Sequence, residues 1–156
     1  MVSVHERRGR PSVMSGWTLP SFLALLLVAV ASGVKTKPEF GEEIQEVIQH
    51  LHHTCAEKTG AAEEDILNCE NGIFKEDPKL KCYMFCLLEE SSVADEDGVV
   101  DYEMMVGLIP EEWSERVGKM IMSCKHLDTA DKDKCQRAFD VHKCSYDQDP
   151  ELYFLF

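Results

Sequence analysis

The stretch "KLKCYMFCLL" (residues 79–88) places Cys82 and Cys86 four positions apart in what reads as a buried helix. A thiol redox motif is Cys-x-x-Cys, one residue shorter. Zinc sites accept the longer gap but close with a second such pair or with histidines, whereas Cys124, Cys135 and Cys144 are widely and unevenly spaced. Residues four apart on a helix point the same way with Cβ atoms about 5–6 Å apart. A disulfide needs roughly 3.5–4.5 Å. Cys82 and Cys86 are therefore expected to reach two different neighbouring elements rather than each other. Cys135 and Cys144, about two and a half helical turns apart, face opposite sides of their helix and are expected to serve different partners too.

Bridges of this kind need an oxidising compartment, and the N-terminus supplies the route to one. Arg7, Arg8 and Arg10 precede a short apolar run, "SFLALLLVAVASG" (residues 21–33), that ends in small residues. The run is about half of the ~20 residues a membrane span needs. Ala29 and Ala31 have the spacing that signal peptidase reads, so residues 1–33 are expected to be a secretory leader cleaved near 31–33. Met14 offers an alternative start. What remains, residues 34–156, is the length of one domain, and it holds all 7 cysteines. The full chain carries a formal net charge of −13. Loss of the basic leader makes the remainder more acidic, which argues against nucleic acid or stable membrane insertion.

Helices account for the rest of the pattern. Phe40, Ile44, Val47, Ile48, Leu51 and Cys55 recur at three- and four-residue steps and predict one buried helical face, ended at Lys58 and Gly60. A short second helix is expected over "AAEEDILNC" (residues 61–69). Asp77 and Pro78 are an N-cap and first-turn proline for a third that runs to about Glu90. A fourth holds Tyr102 and Met105. Pro110 opens a fifth, where Trp113, Val117, Met120, Ile121 and Cys124 share a face. A sixth runs from about Lys132 to Tyr146. No stretch alternates with period two, so the domain is expected to be all-α.

The six cysteines Cys55, Cys82, Cys86, Cys124, Cys135 and Cys144 leave gaps of 26, 3, 37, 10 and 8 residues. With "DPKLKCYMFC", "AFDVHKC" and the closing "DPELYFLF", this spacing resembles the insect odorant-binding (pheromone-binding) proteins, in the branch whose C-terminal tail covers the pocket. The resemblance spans essentially all of residues 34–156. It implies a six-helix fold around an apolar cavity, with interlocked disulfides Cys55–Cys86, Cys82–Cys135 and Cys124–Cys144. Spacing alone leaves fifteen pairings open. Cys69 departs from the pattern. It is read as a partly buried free thiol, with an intermolecular disulfide and covalent dimer as the alternative.

The resemblance also turns an ordinary-looking core into a candidate site. Tyr102, Met105, Ile109, Trp113, Val117 and Met120 match pocket walls, and methionine suits a pocket that accepts several shapes. Leu88 is added from the third helix, while Leu87 and Phe139 are ranked lower. His142 matches a pocket histidine, expected to hold a ligand oxygen and to titrate near pH 6.5. The tail (residues 147–156) is expected to form a lid, with Tyr153 and Phe154 on the ligand and the Phe156 carboxylate paired with an internal donor. Ser145 stands where relatives often carry an aromatic.

Other constellations lead nowhere. His50, His52 and His53 are read as a solvated helix end rather than a metal site. "VADEDGVVDYEM" fails as a calcium loop, since Val93 and Met104 stand where carboxylates are required. No nucleophile–base pair or metal site is evident, so neither catalytic residues nor a cofactor is expected. The resulting expectation is a secreted carrier of a small hydrophobic odorant or pheromone, working in an aqueous fluid such as sensillum lymph and delivering to an olfactory receptor. A helical interaction protein that docks a partner through its tail is the alternative, and a small disulfide-rich hydrolase a lesser one.

Overall fold

The computed structural model describes residues 40–155. The described residues belong to a single compact unit. The expected leader and the Phe156 carboxylate lie outside the described residues. Six α-helices follow one another: α1 (Glu42–Thr59), α2 (Glu63–Cys69), α3 (Pro78–Glu90), α4 (Tyr102–Gly107), α5 (Glu111–Cys124) and α6 (Lys134–Gln148). Among the described residues the sole β-type pairing is an isolated bridge, Ala94 to Val100.

Local chemistry sets the ends of these helices. Asp77 accepts from the Lys79 N–H at the start of α3, with Pro78 in the first turn, where a missing N–H costs nothing. Gly60 ends α1 at φ 67°, a left-handed conformation glycine adopts freely, and its N–H bonds the Ala56 carbonyl. The start of α6 falls two residues later than its periodicity predicts. Asp133 takes the capping position there, its side chain accepting from the Gln136 N–H at 3.0 Å.

The central helix is α3. Leu80, Tyr83, Met84, Phe85, Cys86 and Leu87 are all buried, and α3 packs most extensively on α6 and then on α1. Three disulfides fix this frame: Cys55–Cys86 ties α1 to α3, Cys82–Cys135 ties α3 to α6, and Cys124–Cys144 ties α5 to α6. These are the pairs implied by the cysteine spacing's resemblance. In the loop-closure description such bridges contribute about 3–4 kcal/mol each. That support lets a small domain forgo a solid core.

One expectation is corrected here. His50, His52 and His53 lie in the middle of α1, since the helix runs on to Thr59. His52 is half-buried and bridges three helices, with Nδ1 2.8 Å from the Tyr83 hydroxyl and Nε2 3.1 Å from Glu63 Oε1. It is a tie between α1, α2 and α3, not a solvated end.

Cys69 is fully buried, its Sγ donating to the Asp65 carbonyl at 3.3 Å. Burial, helped by the Asp65 charge, pushes the thiol up to about 12. A thiol that is both sealed and protonated is a poor partner for an intermolecular disulfide, so the covalent-dimer alternative loses its footing. Native protein is expected to resist an alkylating reagent at pH 8 for hours, then take up a single equivalent once unfolded in urea without reductant. Rapid native labelling, or a dimer band on non-reducing electrophoresis, would contradict this.

Candidate ligand-binding cavity

A cavity of about 450 Å³ lies between the helices. At the ~30 Å³ that a water occupies in the liquid, this is room for on the order of 15 non-hydrogen atoms. Its walls are built from several elements. Leu51 comes from α1, and Phe85, Leu87 and Leu88 from α3. Tyr102 and Met105 come from α4, followed by Ile109 in the α4–α5 link. Val117, Met120 and Ile121 line it from α5, and Ala138, Val141, His142 and Ser145 from α6. Leu88, Tyr102, Met105, Ile109, Val117, Met120, His142, Tyr153 and Phe154 thus converge on one space.

Trp113 does not join them. It shares the helical face of Val117 but stands one turn nearer the start of α5, half-buried. Its indole N–H donates to Glu112 Oε1 at 3.0 Å. An indole N–H needs a partner, and the nearest lies in the exposed carboxylate beside it. Phe139 is also outside the cavity: it is 1% exposed and belongs to the core.

The apolar face of α1 behaves differently from its periodicity. Leu51 and Cys55 are buried, but Ile44 is 40% exposed and Val47 54%. Both line the cavity, as does Leu108, at 61% exposure. Side chains that touch both cavity and solvent mark a rim, so the mouth lies between the first half of α1 and the α4–α5 link. Alternating helical spacing identifies an apolar face; it does not say whether protein or empty space lies against it.

The described part of the tail lines the cavity. Leu152, Tyr153 and Leu155 are buried. Tyr153 sits in an aromatic cluster, its ring centroid 5.8 Å from Phe74, 5.6 Å from Tyr146 and 6.0 Å from His142. Phe154 meets Phe40 edge-on at 5.4 Å. The turn into the tail is anchored where Arg116 forks onto Asp149, at 2.5 and 2.8 Å. Partial burial works against the Asp149 charge, but hydrogen bonds from Arg116 and the Leu152 N–H outweigh it and hold the carboxyl below its ordinary value.

One polar point on this otherwise apolar wall pairs His142 Nδ1 with the Tyr153 hydroxyl, 3.1 Å apart. Burial drives the His142 pKa down to about 4, because an imidazolium would be stripped of water with no carboxylate to compensate it. The expected titration near pH 6.5 is thereby corrected: across the physiological range this imidazole is neutral. Burial raises the Tyr153 hydroxyl well above its ordinary value, so this end of the cavity carries no charge.

Comparison with known proteins agrees with this architecture. Residues 37–148 match the PBP/GOBP family. General odorant-binding protein 69a of Drosophila melanogaster is 27% identical over 128 residues, covering 79% of this chain and 82% of that protein. Odorant binding protein 4 of Chrysopa pallens superposes with a TM-score of 0.66 at 32% identity, over 76% of this chain and 100% of that one. Odorant binding protein 7 of Anopheles gambiae, solved in complex with an azo compound, gives a TM-score of 0.61 at 26% identity, over 76% and 99%. With the matched segment spanning all six helices but the last tail residues, the chain belongs to the PBP/GOBP family.

Proposed function

We propose that this protein is a secreted carrier that encloses a small apolar ligand, of the odorant or pheromone kind, and moves it through an aqueous fluid. The observation that carries this reading is the largely apolar cavity with an apolar rim. A ten-carbon ligand gains up to ~8 kcal/mol gross on burial, at about 0.8 kcal/mol per CH₂. Taken alone, that gross gain corresponds to about micromolar affinity, a ceiling that the cost of association lowers. The nine converging residues named above are the ligand contacts in this reading.

The family and the names of its relatives support it, as does the leader-like N-terminus. Burial of the tail within its own domain disfavours the alternative in which the tail docks a partner. An olfactory receptor would be the downstream recipient of the ligand. The test is displacement of a fluorescent apolar probe by alcohols, aldehydes, esters and aromatics at pH 7 and pH 5. Displacement by at least one class is expected, and none by any class would overturn the carrier reading.

A further inference from the structure

The cavity has a second polar point, at its α4–α6 end. Arg137 Nη1 lies 3.1 Å from Asp128 Oδ1, and the Tyr102 hydroxyl donates to Asp128 Oδ2 at 3.0 Å. Arg137 Nη2 reaches the Asp97 carbonyl at 3.4 Å. Arg137, Asp128 and Tyr102 all line the cavity, together with Gly98 from the loop that Arg137 holds. Arg137 Nε is buried and has no hydrogen-bond partner among the described residues. An orphaned donor on a buried charged group is costly unless something else completes it.

The charges at this end decide what can complete it. Arg137 and Asp128 neutralise each other, so a carboxylate arriving here would place a new negative charge beside Asp128. Lys134 also lines the cavity, but its ammonium is turned to Glu89 at 3.6 Å and to the Glu96 carbonyl at 3.2 Å. Glu43 stands on the lining too, and the chain as a whole is strongly acidic. A neutral oxygen asks for one N–H and brings no charge. Arg137 Nε has no accessible surface of its own, so a ligand oxygen reaches it only with a turn of the guanidinium, and the Nη2 contact to Asp97, the longest of the group at 3.4 Å, is the one such a turn gives up. His142 lies five residues along α6, about 7.5 Å at 1.5 Å per residue, so the apolar chain has a defined run between the two points.

Building on the carrier reading, we propose that the cavity is made for neutral oxygen-bearing ligands. Arg137 Nε–H receives the oxygen of a ketone, aldehyde or ester carried on an apolar chain. The site discriminates against the carboxylate of the same length.

The test is a matched eleven-carbon series of undecane, undecan-2-one and undecanoate, competed against a fluorescent apolar probe at pH 7. The ketone is expected to bind about tenfold tighter than the alkane, and undecanoate no tighter than the alkane. In Arg137→Met with Asp128→Asn, which removes both charges together, the ketone's advantage over the alkane, both measured on that same variant, is expected to fall within about twofold of unity. If that double variant fails to fold, Arg137→Lys retains the charge beside Asp128, lacks Nε–H, and is expected to lose the same advantage. In the wild type the Arg137 Nε–Hε NMR resonance is expected to move on adding the ketone but not the alkane. A ketone preference that survives these variants, or tightest binding by undecanoate, overturns the assignment alone. Failure of all three ligands to displace the probe overturns this assignment, and the carrier reading falls with it only where the alcohols, aldehydes, esters and aromatics fail as well.

Discussion

Deleting residues 152–156 is expected to destabilise the whole domain, not merely to uncap its cavity. Leu152, Tyr153 and Leu155 are 2%, 3% and 6% exposed, so the deletion removes three buried side chains from the wall. At about 1.5–3 kcal/mol for each buried apolar side chain, the loss is roughly 5–8 kcal/mol. That is a large part of the ~5–15 kcal/mol a domain of this kind possesses. The deletion also takes away one of the rings that Phe74 and Tyr146 pack against, and the hydroxyl partner of His142. A urea unfolding midpoint shifted far to lower denaturant, with probe affinity falling in parallel, is the expected result. A truncated protein of unchanged midpoint and altered ligand affinity would restore the tail to the role of a detachable lid.

The second large effect is in pH. The folded-state pKa of His142 is about 4, against an ordinary value of 6.5. A group depressed in this way leaves the unfolded state binding the proton first. The folded state therefore keeps its full contribution above about pH 6.5 and loses it as pH falls toward 4. The size of the loss is on the order of 3 kcal/mol. His142→Gln retains a partner for the Tyr153 hydroxyl and has no proton to gain, so its stability is expected to be flatter over that window. Urea midpoints at pH 7, 5.5 and 4 for both proteins supply the difference, in which carboxylates common to both cancel. Equal losses in the two would remove His142 from the account. Where the two differ as expected, the acid loss between pH 6.5 and 4 runs through this histidine, while the Arg116–Asp149 anchor, held by a depressed carboxyl, stays charged until lower pH.

The parts of the fold that could be read from the sequence were those governed by local chemistry. Asp77–Pro78, Gly60 and Pro110 act within a turn of themselves, and their effects on helix ends do not depend on distant packing. The separation of Cys82 and Cys86 followed from helical geometry, whereas the choice of their partners came only with the resemblance. What escaped was whatever depends on the far side of a residue. Ile44 and Val47 carry the same periodicity as Leu51 yet face a mouth instead of a core. Trp113 has the spacing of Val117 but lies beyond the end of the cavity. Arg137 gave no signal at all, because a charged residue in "CQRAF" reads as a solvated helix face until Asp128 and Tyr102 are brought against it from other elements. The environment of His142 was equally invisible, since its neighbour Tyr153 arrives from the tail.

Burial of Cys69 also bears on how the protein matures. Before the chain folds, this thiol is as able as the other six to attack a disulfide, so it can join wrong bridges and open them again by thiol–disulfide exchange. Once α2 packs, the same sulfur is enclosed, and its thiol is held at about 12, which leaves almost no thiolate. The seventh cysteine is thus open to exchange in the unfolded chain and closed to it in the finished fold.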